Sequence, residues 1–148
     1  MSNYKPLIYL ASPYSHPDIE VRNERVRQTI AAVANLMTSN LVVYSPIVHN
    51  HQIAIKHNLP TEWSYWQQFD EVILSKCDQV YVLMLDGWLE SRGIKAEITI
   101  ARKLRLPIGY LGYSEIDYLV AGRTDKVSVI HTSMDSYVDS LRQRYDWI

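Results

Sequence analysis

The chain has 148 residues, enough for one hydrophobic core and too few for two ordinary domains, so we expect residues 1–148 to form a single domain. Hydrophobic residues make up 47% and charged residues 21% of the sequence, a composition that excludes disordered and fibrous classes. The formal net charge of -1 excludes a broad polynucleotide-binding surface, although a few local donors are enough to bind one small phosphate.

The first half of the chain alternates strand and helix patterns. Leu7 to Ala11 is a continuous apolar run ended by Ser12-Pro13, which is typical of a strand buried on both faces. Apolar residues then recur at helical spacing from Pro17 to Asn40, and Leu41 to Tyr44 repeats the strand pattern. A less regular stretch from Ile47 to Pro60 follows.

The second half continues the alternation, with its clearest strand in the middle. In chain order the predicted elements are a helix from about Thr61 to Lys76, a strand from Val80 to Leu85, a helix from about Ser91 to Arg105, a strand from Pro107 to Leu111, a loop with at most one short helix from Gly112 to Lys126, a strand from Val127 to Ile130 and a helix from about Ser133 to Tyr145. We therefore expect five strands.

This alternation indicates an α/β fold with a doubly wound five-stranded parallel sheet, flavodoxin-like or Rossmann-like, because right-handed crossovers place helices on both faces. For the strand order 2-1-3-4-5, the ligand crevice lies at the carboxyl ends of the first and third strands. The segments that meet there supply the expected ligand contacts Ser12, Pro13, Tyr14, Asp86, Gly87 and Trp88.

Two carboxylates fall on the apolar faces of their helices. Glu97 lies in the stripe formed by Ile94, Ile98, Ala101 and Leu104, and Asp70 lies among Trp63, Trp66, Ile73, Leu74 and Cys77. Burying an unpaired carboxylate costs several kcal/mol, so such a group is paired, protonated or functional. Two inward carboxylates beside one crevice match glycosidic bond cleavage, in which one attacks or stabilises the cationic sugar and the other moves protons.

A structural explanation stays open for each of these groups. Either carboxylate can instead be tied to an arginine or a backbone amide. Tyr9 lies in an otherwise aliphatic strand, and its phenol needs a partner, which is either one of the carboxylates or a carbonyl in the core.

Ser91 and Gly93 open a helix directly after a strand, where free amides and the helix dipole favour an anion, and Arg92 adds a charged donor. Further donors around the first turn are Ser12, Ser15, His16 and Arg22. The pattern favours a 5′-monophosphate over a free nucleoside, but an ordinary serine N-cap beside an exposed arginine explains it equally well.

Aromatic and histidine side chains carry weaker signals. The candidates for stacking on a base are Tyr14, Trp63, Trp66 and Trp88, of which we prefer Trp88 because it follows the third strand directly, although most such aromatics are core or subunit contacts. Three histidines cluster in the irregular segment: His49, His51 and His57. No cysteine or carboxylate completes a ligand set with them, so we predict neither a metal nor a cofactor.

The sequence also disfavours several classes of protein. The sequence has no Walker or dinucleotide glycine motif, which argues against an NTPase or a dehydrogenase. The single cysteine, Cys77, cannot form an internal disulfide and fits a reducing compartment. No apolar run is long enough for a signal peptide or for the roughly 20 residues that span a bilayer, so we expect a cytoplasmic protein.

Three segments resemble the nucleoside 2-deoxyribosyltransferase superfamily, which includes the 2′-deoxynucleoside 5′-phosphate N-hydrolases and uncharacterised phage and bacterial domains. They are Ile8-Tyr9-Leu10-Ala11-Ser12-Pro13, then Asp70 followed eight residues later by Asp78, and Ser91-Arg92-Gly93-Ile94-Lys95-Ala96-Glu97. The resemblance runs from about Ile8 to Leu111, and the order of the segments is more specific than any one of them. The chain departs from the family pattern at Arg92 and at Lys95-Ala96.

The resemblance implies a function and a role for each residue. Glu97 attacks C1′ to form a deoxyribosyl-enzyme intermediate, Asp70 assists the leaving base or the sugar, and Tyr9 holds Glu97. Asp86 is a looser candidate for sugar or base contact. The implied ligand is a small deoxynucleotide or deoxynucleoside, whose base is released to water or exchanged for another base. A non-catalytic nucleotide-binding module on the same fold is the alternative.

The resemblance also bears on assembly, because related enzymes complete their sites across subunits. The segment from Tyr137 to Trp147 mixes apolar and aromatic residues. We therefore expect a homodimer or higher homo-oligomer, with no membrane and no polynucleotide as partner.

Overall fold

The computed structural model describes residues 3–120, 123–131 and 134–148. In chain order its elements are β1 (Leu7–Ala11), α1 (Ile19–Thr38), β2 (Val42–Tyr44), α2 (Pro46–His57), α3 (Trp63–Leu74), β3 (Gln79–Met84), a short 3-10 helix (Trp88–Glu90), α4 (Arg92–Lys103), β4 (Ile108–Val120), β5 (Arg123–His131) and α5 (Asp135–Arg142). Five strands are present, as the sequence predicts.

The strands form one mixed sheet rather than the predicted parallel sheet. Their order is β2-β1-β3-β4-β5, which is the predicted order. β1 pairs with β2 and β3 in parallel and β3 pairs with β4 in parallel, but β5 runs antiparallel to β4. The prediction of an all-parallel, doubly wound sheet is therefore wrong.

The length of β4 explains this difference. The prediction ended this strand at Leu111 and placed a loop from Gly112 to Lys126, whereas β4 continues to Val120 and β5 begins at Arg123. Two residues lie between the strands, whereas a parallel connection needs a crossover of a dozen or more. An antiparallel pair is therefore the only arrangement that this spacing allows. Residues 121 and 122 of the predicted loop lie outside the described residues, as does Ser133, the predicted start of the last helix.

Helix α2 occupies most of the stretch that looked irregular in the sequence. Ser45 caps it by accepting a hydrogen bond from the backbone N–H of Val48, and Pro46 occupies the first turn. Asn58 ends the helix in a left-handed conformation, with φ of 50°. Only Pro46 and Ala54 are buried, so the helix has no continuous apolar stripe and periodicity does not reveal it.

The core lies on both faces of the sheet because successive strand residues point in opposite directions. Tyr9 and Ala11 of β1 pack with buried residues of α3, α4 and α5, whereas Leu10 packs with Ala32 and Leu36 of α1. The C-terminal segment belongs to the first of these clusters through Val138, Leu141 and Ile148. Among the described residues, no helix has the length and apolar content needed to cross a bilayer.

Candidate active site

A cavity of about 500 Å³ opens beyond the carboxyl ends of β1 and β3, where the crevice is predicted. Four segments line it, namely the β1–α1 loop (Ser12, Tyr14, Ser15), α2 (Ile47, Asn50, His51, Ala54), the start of α3 and the residues before it (Thr61, Glu62, Trp63, Ser64, Trp66, Asp70) and the start of α4 (Glu90, Ser91, Arg92, Gly93, Glu97). Asp70 and Glu97, which the sequence places on separate helices, thus meet at one cavity.

Glu97 is buried in the wall of this cavity, with 4% of its surface exposed. It lies on the inward face of α4 with Ile94, Ile98 and Ala101, as the helical pattern predicts, whereas Leu104, the fourth residue of the predicted stripe, is exposed. Its Oε1 accepts a hydrogen bond of 2.7 Å from the hydroxyl of Tyr9. Burial raises the pKa of Glu97 to about 8 against the opposing effect of this hydrogen bond, and the nearby charge of Asp70 adds to the rise. The carboxyl group is therefore protonated at neutral pH in the free protein.

Asp70 is 5% exposed and, with Leu74, is one of the two buried residues of α3. Asn50 Nδ2 donates to Asp70 Oδ1 over 3.5 Å. Burial raises the pKa of Asp70 to about 6, and the hydrogen bond from Asn50 and the charge of His49 both oppose that rise. Because Asp70 titrates below Glu97, the two carboxyl groups together hold about one proton near neutral pH.

Neither carboxyl group forms an ion pair with a lysine or arginine within the described part of the chain. The structural explanation in which an arginine neutralises Glu97 or Asp70 is therefore not what the structure shows. Two buried, unpaired carboxyl groups in one cavity are the arrangement expected of acid–base or nucleophilic chemistry.

Tyr9 belongs to the site through its hydrogen bond to Glu97. Its side chain is fully buried and does not line the cavity. Burial raises the pKa of Tyr9 well above its usual value, and the charges of Glu97 and Asp70 act in the same direction. The phenol therefore stays neutral, and its hydroxyl keeps a proton to donate to Glu97 when that carboxyl group is ionised.

The β1–α1 loop is tied to the opposite wall of the cavity. The hydroxyl of Tyr14 lies 2.7 Å from His51 Nδ1, and Ser15 Oγ donates to the carbonyl of Thr61 over 3.0 Å. Ser12 is buried and lines the cavity, whereas Pro13 is fully buried and does not line it. Burial lowers the pKa of His51, and the charge of Arg22 acts in the same direction.

Asp86, Gly87 and Trp88, which the sequence predicts as ligand contacts, do not line the cavity. Trp88 is 5% exposed and packs in the core against Tyr110 and Trp147, at centroid distances of 6.0 and 6.1 Å. Asp86 is exposed. Trp63 and Trp66 are the tryptophans that line the cavity, so the preferred stacking candidate of the sequence is not among the cavity residues.

Gly87 has a structural reason for being glycine. Its φ is 86°, and a Cβ at this position would overlap the Arg25 guanidinium. Arg25 Nη1 donates to the carbonyls of Tyr14 and Ser15 over 3.3 and 2.8 Å. Burial lowers the pKa of Arg25, while the charges of Asp86 and Glu90 raise it. Arg25 therefore links the loops that follow β1 and β3.

Sequence reasoning missed Arg25, although a signal for it exists. Arg22, Arg25 and Thr29 recur at spacings of three and four on α1, which is the spacing of one helix face, beside the buried Val26. Arg22 donates to Thr61 Oγ1 over 3.2 Å and Thr29 lies 3.4 Å from Ser12 Oγ. Polar residues at helical spacing next to an apolar stripe therefore indicate contacts to neighbouring loops, here the β1–α1 loop and the segment before α3.

At the start of α4, Ser91, Arg92 and Gly93 line the cavity. Ser91 Oγ accepts a hydrogen bond of 3.3 Å from the backbone N–H of Ile94, so the N-cap explanation is correct, but it leaves the hydroxyl proton free to donate. Arg92 is exposed. Among residues 3–120, 123–131 and 134–148, no group of three or more histidine, cysteine or acidic residues could hold a metal ion.

The chain matches the family model described as "Domain of unknown function (DUF1937)" over residues 6–111 and therefore belongs to that family. The matched region contains every residue that lines the cavity, whereas β5 and α5 lie outside it. Among curated proteins, none matches the chain. The family description names no activity.

Proposed function

We propose that this member of the DUF1937 family cleaves the N-glycosidic bond of 2′-deoxynucleoside 5′-monophosphates or deoxynucleosides, with Glu97 as the nucleophile. The observation that carries the proposal is the buried Glu97, held by the Tyr9 hydroxyl in the same cavity as a second buried carboxyl group, Asp70. The segments that resemble the nucleoside 2-deoxyribosyltransferase superfamily all contribute to this site, which supports membership of that superfamily.

The proposed reaction has two displacements at C1′. A Glu97 oxygen bonds to C1′ as the C1′–N bond breaks, the base leaves with the electron pair, and Asp70 gives it a proton. Water then attacks C1′, Glu97 leaves as a carboxylate, and the water proton goes to Asp70. A second base in place of water gives transfer instead of hydrolysis. Covalent catalysis of this kind splits one difficult step into two easier ones.

The protonation of the pair must change before the first step. Burial raises the pKa of Glu97 to about 8 and that of Asp70 to about 6, whereas the reaction needs Glu97 ionised and Asp70 protonated. The hydrogen bond from Tyr9 and the positive charge that develops on the sugar both stabilise the Glu97 anion. The developing charge therefore favours the ionised form of Glu97 as the C1′–N bond breaks.

The lining of the cavity fits a mononucleotide. A volume of about 500 Å³ lies within the range of small-molecule sites. Ile47, Ala54, Trp63 and Trp66 offer an apolar surface for the base. Ser91, Arg92 and Gly93 at the start of α4 offer donors and the helix dipole for a 5′-phosphate.

We propose that the protein works in the cytoplasm as a homo-oligomer.

The test is incubation of the purified protein with each 2′-deoxynucleoside 5′-monophosphate and each deoxynucleoside, with chromatography for free base. Glu97→Gln removes the nucleophile and keeps the shape, so we expect base release to fall by at least about a thousandfold. Glu71→Gln is the matched control, because Glu71 does not line the cavity. A second base in the mixture distinguishes transfer from hydrolysis. Release from no substrate, or equal release by Glu97→Gln, contradicts the proposal.

A nucleotide-binding module without catalysis is the second candidate. The observation that favours it is the burial of Glu97, which keeps its pKa at about 8 and its carboxyl group protonated at neutral pH in the free protein. A binder is expected to gain thermal stability with deoxynucleotides while releasing no base. Thermal shift and chromatography on the same samples separate the two candidates.

A further inference from the structure

We propose that Asn50 is a positioning residue for Asp70 and that the exposed His49 fixes the orientation of the Asn50 amide. The role of Asn50 in catalysis rests on the proposed function of Asp70. The two hydrogen bonds, from His49 to Asn50 and from Asn50 to Asp70, do not depend on that function. Asn50 and His49 are consecutive residues of α2, and Asn50 lines the cavity. These hydrogen bonds connect the exposed His49 to the Asn50 side chain and the Asn50 side chain to Asp70 in the cavity wall.

The hydrogen-bond partners determine which way the amide faces. Asn50 Nδ2 lies 3.5 Å from Asp70 Oδ1, and Asn50 Oδ1 lies 2.8 Å from His49 Nδ1. Since an amide oxygen only accepts, His49 must donate through Nδ1–H. The opposite orientation would place the amide oxygen against a carboxylate oxygen, where neither can donate when Asp70 is ionised. His49 therefore holds the amide with its N–H towards Asp70.

The Asn50 amide acts on Asp70 in two ways. Its N–H engages Oδ1, which leaves Oδ2 to carry the proton that goes to the leaving base. It also stabilises the carboxylate that remains after proton donation, since hydrogen bonds to a charged group are the stronger ones. The contact is long in the free protein, and catalytic hydrogen bonds commonly tighten when substrate binds.

Other titratable groups around Asp70 act in different directions. Tyr9 of β1, Tyr44 of β2 and Glu97 of α4 interact with it electrostatically, and burial raises the pKa of each. The hydrogen bond from Asn50 and the charge of His49 lower the pKa of Asp70 against its burial. Asn50 and His49 are therefore the neighbours expected to make Asp70 more acidic than Glu97.

The decisive measurement is a carbon-13 NMR titration of the Asp70 carboxyl carbon, which needs no turnover. In Asn50→Ala the donor is lost, and we expect the midpoint of Asp70 to rise by about one pH unit. Asn50→Asp keeps the shape of the side chain, so it serves if Asn50→Ala does not fold. It replaces the donor with a second carboxyl group and is expected to raise the midpoint further.

Kinetics with the released base as readout then test positioning. For Asn50→Ala we expect kcat to fall about tenfold with a smaller change in KM, and the acidic limb of the pH profile to move up with the NMR midpoint. His49→Ala frees the amide to rotate and is expected to lower kcat in the same sense. His49→Gln, whose amide can still donate to Asn50 Oδ1, is expected to restore kcat. His57→Ala is the control, an exposed histidine of the same helix.

An Asp70 midpoint that stays unchanged in both Asn50 variants overturns the proposal, as does an equal shift in His57→Ala. Absence of base release from the wild-type protein contradicts the proposed function instead, and the NMR titration still decides whether Asn50 controls Asp70. The two failures are therefore distinguishable.

Discussion

The two sides of the cavity treat the same chemical group differently. On the side of α4, Glu97 is buried, its hydrogen-bond partner is Tyr9, and burial raises its pKa to about 8. On the side of α2 and α3, Asp70 is also buried, but it accepts a hydrogen bond from the Asn50 amide and the charge of His49 lowers its pKa, which is raised only to about 6. The same chemical group therefore has different proton affinities on the two sides, in the order opposite to the one that the proposed first step needs.

The largest expected effect is loss of activity, and its dependence on the leaving group distinguishes the proposed acid, Asp70, from the proposed nucleophile, Glu97. With a natural base, Asp70→Asn is expected to lose roughly a hundredfold in kcat, because general acid assistance is worth about 10²- to 10⁴-fold. With a 2-deoxyriboside whose leaving group departs as a stable anion, such as p-nitrophenolate, Asp70→Asn is expected to regain most of its activity. Glu97→Gln is expected to stay inactive with both substrates. The measurement is the rate of leaving-group release.

Equal loss by Asp70→Asn on both substrates would contradict the division of roles. It would show that Asp70 positions the sugar instead of protonating the base. Gln68→Ala on an outward face of α3 is the control, since Gln68 is exposed and does not line the cavity.

A second prediction concerns stability. Because the pKa of Glu97 is raised from 4.5 to about 8, the folded protein binds more protons than the unfolded chain between these values, and stability falls as pH rises through this window. Glu97→Gln removes that loss. We expect it to stabilise the protein by a few kcal/mol at pH 8 and above and to have little effect near pH 4. Denaturant unfolding at the two pH values measures the difference.

The opposite result would favour the structural explanation of the buried carboxyl groups. If Glu97 served only to hold the fold together, Glu97→Gln would lower the free energy of unfolding at both pH values. Glu71→Gln provides the baseline for a carboxylate outside the cavity.

The smallest expected effect is the shape of the pH profile. The singly protonated pair predominates between the two pKa values, about 6 for Asp70 and about 8 for Glu97. We therefore expect kcat/KM to be greatest near neutral pH. It should fall about tenfold per pH unit below the pKa of Asp70, about 6, and above the pKa of Glu97, about 8. Initial rates from pH 5 to 10 measure it. A profile that rises steadily across both values would contradict a shared proton.

Much of the site was predictable because local patterns encode it. Glu97 and Asp70 interrupt apolar stripes at helical spacing, so their burial follows from the sequence alone. Ser12, Ser91 and Gly93 follow strands whose carboxyl ends meet at the switch point of the sheet, so their place at the cavity also follows. Their roles in catalysis stay predictions.

Other parts of the site were missed because their signal is not local. Asn50 and His51 lie on α2, whose helical pattern is weak because its inward face meets a cavity instead of the core. Trp88 was expected at the ligand because it follows β3, but the 3-10 helix turns it into the core against Trp147, which is 59 residues away in sequence (147 − 88).

The C-terminal segment shows the same limit. Its mixture of apolar and aromatic residues suggested a subunit contact, yet Val138, Leu141 and Ile148 are buried against the sheet of their own chain. Because these residues are buried within their own chain, they do not support the expected self-association. The oligomeric state stays a prediction.

The sequence by itself determined the number and order of the strands, the helices other than α2 and the inward placement of Glu97 and Asp70, because hydrophobic periodicity and the geometry of crossovers are local or topological. Only the tertiary structure decided that β5 runs antiparallel, that Tyr9 donates to Glu97 and that α2 brings Asn50 to Asp70. Those contacts join residues far apart in the chain, and the proton affinities of the two carboxyl groups depend on them.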